Sequence, residues 1–238
     1  DKVKLWAMAD AFPEKIKAPL ATLTAKYGKE RVEVDPKRQF TGLDAFEKLA
    51  ASDVDVVLMA TPPGYRPMML RKCIEAGKHV FAEKPLAVDA PGVQQFLNAN
   101  KIAKEKKLLV QIGLQRHHEK RYIETIKRLK DGAIGDIITQ RVYWNGGGIW
   151  YRGRQAEQSE MAFQVNNWYH FNWVCGDQIC EQHIHNIDVA CWVKGAYPVE
   201  CNGMGGSAQR VGGDASKSQI FDHTFCEYTF ADGTKMYK

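Results

Sequence analysis

Acidic and histidine residues cluster in the second half of the chain and could carry acid–base chemistry. The cluster consists of Glu181, His183, His185 and Asp188. If this stretch is helical, Glu181 and His185 are four residues apart and share a face, so the carboxylate can orient the imidazole and raise its basicity. Such a pair suits the removal of a proton from an alcohol. A capping Glu beside a hydrogen-bonded core His is the plainer alternative.

A metal site is a further interpretation of the two histidines. His183 and His185 are two positions apart, so on a helix they point to opposite sides. Only a strand would let both of them coordinate the same metal ion. We therefore expect no metal.

Lys84 stands in the sequence Glu83-Lys84-Pro85, directly after an apolar segment. A lysine held at the end of a strand can bridge a cofactor and a substrate hydroxyl, and partial burial can lower its pKa towards a useful value. A Glu–Lys pair on the surface would explain the same residues without any chemistry.

Asp10 follows the first apolar segment of the chain. A carboxylate at that point can accept hydrogen bonds from both ribose hydroxyls of an adenine nucleotide and would repel a 2′-phosphate. Asp is also a good helix N-cap, so both interpretations remain open. A glycine-rich phosphate turn is expected one strand earlier. Because only nine residues precede Asp10, we expect that strand and its glycine turn to lie before Asp1.

Residues 143–173 hold nine aromatic side chains, among them Trp150 and Trp168. Flat aromatic faces with neighbouring Asn and Arg side chains suit a sugar-like substrate. A packed or oligomer-forming surface would have the same composition.

The first half of the chain must position these groups, and it alternates strand and helix patterns. Strands are predicted at residues 3–9, 32–34, 54–60, 79–82 and 108–112, with helices between them. Residues 54–60 form a nearly continuous apolar run, which predicts a strand buried on both faces of a parallel sheet. Ligands bind beyond the carboxyl ends of such strands. Asp10, Thr61-Pro62, Glu83-Lys84 and Gln111 fall at those ends.

The second half changes character. Helices are predicted at residues 118–130 and 181–193, and strands at 137–144, 199–203, 220–230 and 235–237. Asp232-Gly233 predicts a hairpin turn before the last strand. The sequence therefore predicts a Rossmann-type α/β domain with a parallel sheet over residues 1–115, followed by an α+β domain over residues 116–238 with a large open, mainly antiparallel sheet.

The composition excludes several classes of protein. Hydrophobic residues make up 45% of the chain and charged residues 26%, which is typical of a globular protein. The net charge of +5 is not clustered, so nucleic acid is not an expected partner. No stretch of about 18 apolar residues predicts a membrane span.

Three segments resemble the Gfo/Idh/MocA oxidoreductase family, and the resemblance extends over almost the whole chain. They are residues 53–62 (DVDVVLMATP), 76–86 (AGKHVFAEKPL) and 181–188 (EQHIHNID). The resemblance implies a nicotinamide-dependent enzyme that oxidises a hydroxyl of a sugar, a cyclitol or a related polyol, with NAD favoured over NADP because of Asp10. It implies catalytic roles for Lys84, His185 and Glu181, where Glu181 replaces the usual Asp.

The resemblance also implies further site residues. Those expected to bind the cofactor are Asp10, Thr61, Pro62, Arg66, Glu83, Lys84 and Gln111. Those expected to bind the substrate are Lys84, Arg116, Trp150, Trp168, His183 and His185. Arg66 stands where the family often has His, and His183 where Gly is common.

The family's members are longer than this chain, so we expect sequence to be missing at both ends. They commonly form dimers or tetramers through the second sheet, which implies a homodimer or homotetramer here. Without the glycine turn, residues 1–238 alone are expected to bind NAD poorly. A cytoplasmic location is expected, with export to the periplasm as the alternative.

Two other functions remain open. Some relatives hydrolyse glycosides by transient oxidation with tightly held NAD, and the same residues would serve. A sugar-binding module that has lost its use of the cofactor is the non-enzymatic alternative.

Overall fold

The computed structural model describes residues 3–208 and 218–238, which fall into two compact units. The first unit comprises residues 3–60, 66–82 and 91–112. The second comprises residues 61–65, 83–90 and the described residues from 113 onwards. The turns after two of the strands therefore belong to the second unit, whereas the predicted boundary after residue 115 placed them in the first.

The first unit contains two sheets of parallel strands, as the alternation of strand and helix predicts. One sheet pairs β1 (Met8–Asp10) with β2 (Gln39–Thr41). The other has the order β3 (Val56–Met59), β4 (His79–Ala82) and β5 (Val110–Ile112). The helices of this half are α1 (Pro13–Tyr27), α2 (Ala45–Ala51), α3 (Arg66–Glu75) and α4 (Ala90–Glu105).

Two details of the predicted first half are wrong. Residues 32–34 form only a single bridge, between Val32 and Leu5, and the strand lies later, at β2. The side chain of Arg38 donates to the main-chain oxygen of Glu33 at 2.7 Å and so occupies an acceptor that a longer strand would need. The run at residues 54–60 is buried on one face only, since Val56 and Leu58 are 54% and 75% exposed.

The second unit is built around a four-stranded mixed sheet. Its order is β6 (Thr139–Arg141), β9 (Lys235–Tyr237), β8 (His223–Thr229) and β7 (Glu200–Gly206). The three strands β7, β8 and β9 are antiparallel, and β6 runs parallel to β9. Gly233, at φ +83°, lies in the predicted hairpin turn between β8 and β9. The mainly antiparallel sheet and the predicted fold class are thus confirmed.

The helices of the second unit are α5 (Lys120–Lys130), α6 (Glu160–Asn166), α7 (Asn172–Cys175) and α8 (Ile184–Lys194). A π-helical turn, Ile179–His183, leads directly into α8. Ala190 of α8 packs with Phe230 and Met236, which anchors this helix on the sheet. Within the described ranges no helix is both long enough and apolar enough to cross a membrane.

Candidate active site

Lys84 and Glu181 form a buried ion pair in the second unit. Lys84 follows β4, and its Nζ donates to Glu181 Oε1 at 2.9 Å and to the main-chain oxygen of Glu181. The two side chains are only 12% and 7% exposed. Lys84 is therefore not half of an exposed surface pair with Glu83, which was the alternative interpretation of the sequence. Because both side chains are buried, water cannot replace either partner, and each charge depends on the other for its compensation.

The π-helical turn determines where Glu181 points. An α-helix would place Glu181 and His185 on one face, but a π turn accommodates an extra residue and changes the angle between them. Glu181 contacts Lys84, and His185 Nδ1 is buried with no hydrogen-bond partner among the described residues. The Glu181 carboxylate therefore accepts no hydrogen bond from His185 Nδ1.

His185 packs on an aromatic ring and lies near two positive charges. Its ring stacks on Trp144, with centroids 5.8 Å apart and an interplanar angle of 26°. Burial first, then the charges of Lys84 and Arg116, lower the pKa of His185 to about 4. The imidazole is therefore neutral near pH 7, which leaves one ring nitrogen able to accept a proton.

Arg116 lies near His185 and is held by Asn186. Arg116 Nη1 donates to Asn186 Oδ1, and Asn186 Nδ2 donates to the main-chain oxygen of Tyr143 at 2.6 Å. Asn186 and Trp144 were not among the site residues predicted from the sequence. Asn186 lies inside the 181–188 segment, and its position one residue after His185 was the available signal.

Asp188 does not join the catalytic candidates. Its Oδ2 lies 2.7 Å from His117 Nε2, and the His117 ring stacks on Trp192 with centroids 4.1 Å apart. The polar cluster seen in the sequence therefore divides into two sets of contacts, with Glu181 on Lys84 and Asp188 on His117. His183 belongs to neither set.

The two tryptophans expected to bind substrate lie at an aromatic cluster, which Trp168 contacts directly. Trp168 packs against the cluster of Phe163, Phe171 and Val174, and Trp150 lies edge-on to Trp168 at 6.1 Å. Trp150 is 39% exposed and has the guanidinium of Arg152 4.1 Å from its ring centroid. The packed-surface interpretation of residues 143–173 thus accounts for Trp168.

Three of the residues expected to bind the cofactor lie in the first unit: Asp10, Arg66 and Gln111. Asp10 ends β1, and its Oδ1 accepts a hydrogen bond from the main-chain N–H of Phe12 at 2.9 Å. Phe12, not Asp10, is the N-cap of α1. Arg66 is buried in α3, at 4% exposure, and the amide of Gln111 donates to the main-chain oxygen of Ile112.

Other cofactor candidates lie in the second unit. Thr61 Oγ1 is buried and has no hydrogen-bond partner among the described residues, so it is available to a bound hydroxyl or amide. Pro62 accepts a main-chain hydrogen bond from Tyr65, which closes the turn after Thr61. Glu83 packs so closely on Gly113 that a Cβ there would clash with it. An orphaned hydroxyl and an acid at a strand end both fit a nicotinamide dinucleotide.

Residues 9–114 match the family model GFO_IDH_MocA, described as an oxidoreductase family with an NAD-binding Rossmann fold. The chain is 31% identical over 134 residues to inositol 2-dehydrogenase of Rhizobium meliloti, covering 56% of this chain and 35% of that protein. It is 26% identical over 162 residues to scyllo-inositol 2-dehydrogenase (NAD(+)) of Bacillus subtilis, covering 68% and 42%. The chain thus spans about a third to two fifths of these relatives.

Solved structures resemble the fold over the whole chain. Myo-inositol 2-dehydrogenase of Lactobacillus plantarum matches with a TM-score of 0.70 at 22% identity, covering all of this chain and 62% of that one. An oxidoreductase domain protein of Kribbella flavida matches with a TM-score of 0.73 at 18% identity, covering 98% and 57%. At these identities the likeness shows the fold.

Proposed function

We propose that the chain belongs to the Gfo/Idh/MocA oxidoreductase family, whose model matches residues 9–114, and that it carries out NAD-dependent oxidation of a hydroxyl on a sugar, a cyclitol or a related polyol. The buried pair of Lys84 and Glu181, with a neutral His185 subject to the Lys84 charge, is the observation that carries this proposal. The names of the relatives, which are inositol dehydrogenases, support a cyclitol-like substrate.

In the proposed mechanism His185 is the base. Its unprotonated ring nitrogen accepts the proton of the substrate hydroxyl, and the stacked Trp144 ring keeps the imidazole in place. The Lys84 ammonium donates a hydrogen bond to the same substrate oxygen and stabilises the negative charge that develops there. When bound, the nicotinamide supplies the hydride acceptor.

Glu181 acts on Lys84 in this proposal. Because its carboxylate and main-chain oxygen both accept from Nζ, two of the three ammonium N–H groups are directed and the third is left for the substrate. Glu181 is therefore a positioning residue, which departs from the expectation that it orients His185.

The cofactor is proposed to be NAD in preference to NADP. Asp10 would accept hydrogen bonds from the ribose hydroxyls, and its charge would repel a 2′-phosphate. Thr61 and Pro62 would line the nicotinamide half, where the orphaned Thr61 hydroxyl gains a partner.

The protein is further proposed to form a homodimer or homotetramer through the sheet of β6 to β9. Met204 and Phe225 on paired strands are 75% and 49% exposed, an apolar area that a second copy would bury. Light scattering on a gel-filtration column tests this, and a strictly monomeric full-length protein would contradict it.

Absorbance at the reduced-nicotinamide band tests the enzymatic proposal. Full-length protein, NAD and a panel of inositols and aldoses should give reduced cofactor with at least one compound. Tight NAD binding without reduction by any of them would contradict the proposal. NAD-dependent cleavage of a glycoside without net reduction would point to the hydrolase alternative.

A further inference from the structure

A cavity of about 460 Å³ lies within the second unit, away from the groups that the proposed mechanism uses. Neither Lys84 nor His185 is among the described residues that line it. Its wall is formed by the residues after β6, by the π-helical turn and by the start of β8. A volume of this size accommodates a small organic molecule, since ligand sites commonly have roughly 300–1,000 Å³. A molecule bound in this cavity would be distinct from the substrate that is oxidised.

Three buried polar atoms in this wall are without partners among the described residues. His183 is 1% exposed, and neither of its ring nitrogens has a hydrogen-bond partner there. The buried hydroxyl of Thr224 has none either. Because buried polar groups are nearly always hydrogen-bonded, these atoms indicate that the cavity receives a polar ligand group. The family resemblance implied that His183 binds the substrate, whereas the structure places it in this separate wall.

Lys238 supplies a positive charge to the same wall. It lines the cavity, is partly buried, and makes no ion pair within the described part of the chain. Burial lowers the pKa of Lys238, and the nearby Cys226 and Asp177 offset this only in part. Burial first, then the charge of Lys238, lower the pKa of His183 to about 4, so the ammonium lies near a neutral imidazole. A partly buried ammonium without a counter-charge favours an anionic ligand.

Asp222 limits how much negative charge the cavity can accept. Its two carboxylate oxygens accept hydrogen bonds from Ala208 N–H at 3.1 and 2.9 Å, and Oδ1 lies 2.8 Å from His223 Nδ1. Asp222 is therefore already engaged, but its charge still repels a second anion. One ammonium beside one engaged carboxylate suits a singly charged ligand better than a phosphate dianion.

Apolar side chains surround these polar groups. Trp144, Ile149, Tyr169 and Ile220 all line the cavity, and the last three pack in one cluster with Cys175. The flat faces of the two aromatic rings suit a ring-shaped apolar body, as in many small-molecule sites.

The polar and apolar parts of the wall together define a ligand class. The Lys238 ammonium, one N–H of the neutral His183 ring and the Thr224 hydroxyl are three donors, and a carboxylate has about four lone-pair sites to accept from them. We propose that this cavity binds the carboxylate of a small organic acid with an apolar ring, held by Lys238, His183 and Thr224. The site goes beyond the proposed oxidation and does not depend on it.

Calorimetric titration of the full-length protein with benzoate tests this site. Benzamide has nearly the same shape without the charge and is the neutral counterpart. We expect benzoate to bind about tenfold more tightly than benzamide or better, because only the carboxylate forms a charge-assisted hydrogen bond with the ammonium. Inorganic phosphate should bind more weakly than benzoate.

Substitutions in the wall test which groups hold the acid. Lys238→Met removes the charge at similar side-chain length and should weaken benzoate binding about tenfold or more, whereas Lys238→Arg should retain most of the affinity. Thr224→Val removes the orphaned hydroxyl at nearly constant shape. It should weaken binding about three- to tenfold without lowering Tm, because no hydrogen bond within the described chain is lost.

Lys235 provides a matched control three residues before Lys238. Its Nζ donates to Glu227 Oε1 at 2.9 Å and to Thr229 Oγ1 at 2.8 Å, and it does not line the cavity. Lys235→Met changes the net charge by the same amount as Lys238→Met, so a general electrostatic effect would weaken benzoate binding in both variants. We expect Lys235→Met to bind benzoate as the unmodified protein does.

Several outcomes would overturn the carboxylate site. They are equal affinities for benzoate and benzamide, equal losses in Lys238→Met and Lys235→Met, preferential binding of phosphate, and the absence of benzoate binding to the full-length protein. Purely competitive inhibition by benzoate against an oxidised substrate would also overturn it, because it would place the acid in the reaction centre. Benzoate binding that depends on Lys238, without NAD reduction by any polyol, supports the cavity site and rejects the dehydrogenase function.

Discussion

The ammonium nitrogen of Lys84 lies 2.9 Å from Oε1 of Glu181, and 97 residues of sequence separate the two. The contact fixes the turn after β4 against the π-helical turn, both of which belong to the second unit. Because both side chains are almost fully buried, the pair gives the lysine side chain one orientation.

Removal of Lys84 alone should be costly. Lys84→Met leaves Glu181 as a buried charge without its cation, and we expect a loss of about 3–5 kcal/mol in the free energy of unfolding. The double variant Lys84→Met/Glu181→Leu removes both charges and should recover most of that loss, while remaining inactive. Urea denaturation of the unmodified protein, of the single variants Lys84→Met and Glu181→Leu, and of the double variant measures the effect. A double variant as unstable as the single one would contradict it.

Loss of His185 should affect the chemical step. His185→Gln removes the proposed base while keeping a polar side chain, and we expect kcat to fall by about 10²- to 10⁴-fold. The affinity for NAD should stay within a few-fold of the original, as fluorescence titration can show. His117→Gln, which disturbs the partly buried pair with Asp188, is the control and should have a much smaller effect on kcat.

The stability of the fold should decrease in mild acid. Burial lowers the pKa of both His183 and His185 from 6.5 to about 4, so between these values the unfolded chain binds more protons than the folded one. Unfolding therefore becomes easier as the pH falls from 6.5 towards 4, by up to roughly 3 kcal/mol per histidine. Above pH 6.5 the two groups contribute no pH dependence.

Urea midpoints between pH 4.5 and 7.5 measure this dependence. His183→Leu removes one of the two groups and should flatten the curve in the acidic part of the range. An identical slope for the variant and the original protein would show that His183 does not titrate with a lowered pKa.

The turn after β3 should tolerate no side chain at Gly64. A Cβ there would lie 2.5 Å from the main-chain oxygen of Trp173 and 3.0 Å from Val174 Cα. Gly64→Ala should therefore cost about 1–3 kcal/mol and lower Tm, because the backbone contact must open. At Gly147 a Cβ would meet nothing within 4 Å, so Gly147→Ala should leave Tm nearly unchanged. Equal Tm values for the two variants would contradict the close contact.

Removal of the charge at Asp10 should relax the proposed preference for NAD. Asp10→Ser keeps an oxygen that can accept from the N–H of Phe12, so the turn is retained while the negative charge is lost. In the full-length protein we expect the ratio of kcat/KM for NADP over NAD to rise at least tenfold. Steady-state rates with both cofactors measure it. An unchanged ratio would mean that Asp10 serves only the turn.

The sequence was informative where a pattern depends on local chemistry. Apolar runs ended by Pro or Gly located β3 and β4, and Asp232-Gly233 located the hairpin before β9, since these signals need only neighbouring residues. The three residues of β2 were missed because their pairing depends on β1 and not on any apolar run. Exposure of Val56 and Leu58 was missed for a related reason, since burial of a face depends on what packs over it.

The candidate site shows the same limit more sharply. Lys84, Glu181 and His185 could be selected from their types and spacing, but their contacts could not. The spacing of Glu181 and His185 assumes 3.6 residues per turn, and a π turn violates that assumption without a signature in residue type. His183 could be selected from its position in the sequence. That its two ring nitrogens are buried without a hydrogen-bond partner among the described residues can be seen only in the folded structure.

The π-helical turn at Ile179–His183 also has a genetic consequence. Loss of the codon for Gln182 or His183 would allow the segment to wind as a regular α-helix, and each residue removed rotates the chain before the deletion by about 100° relative to the chain after it. Glu181 and His185 would then change their relative direction without any change in either side chain. A one-residue deletion is therefore the smallest mutation that would change the direction of Glu181, which positions Lys84, relative to the proposed base His185. Scans that substitute the residues one at a time would not include it.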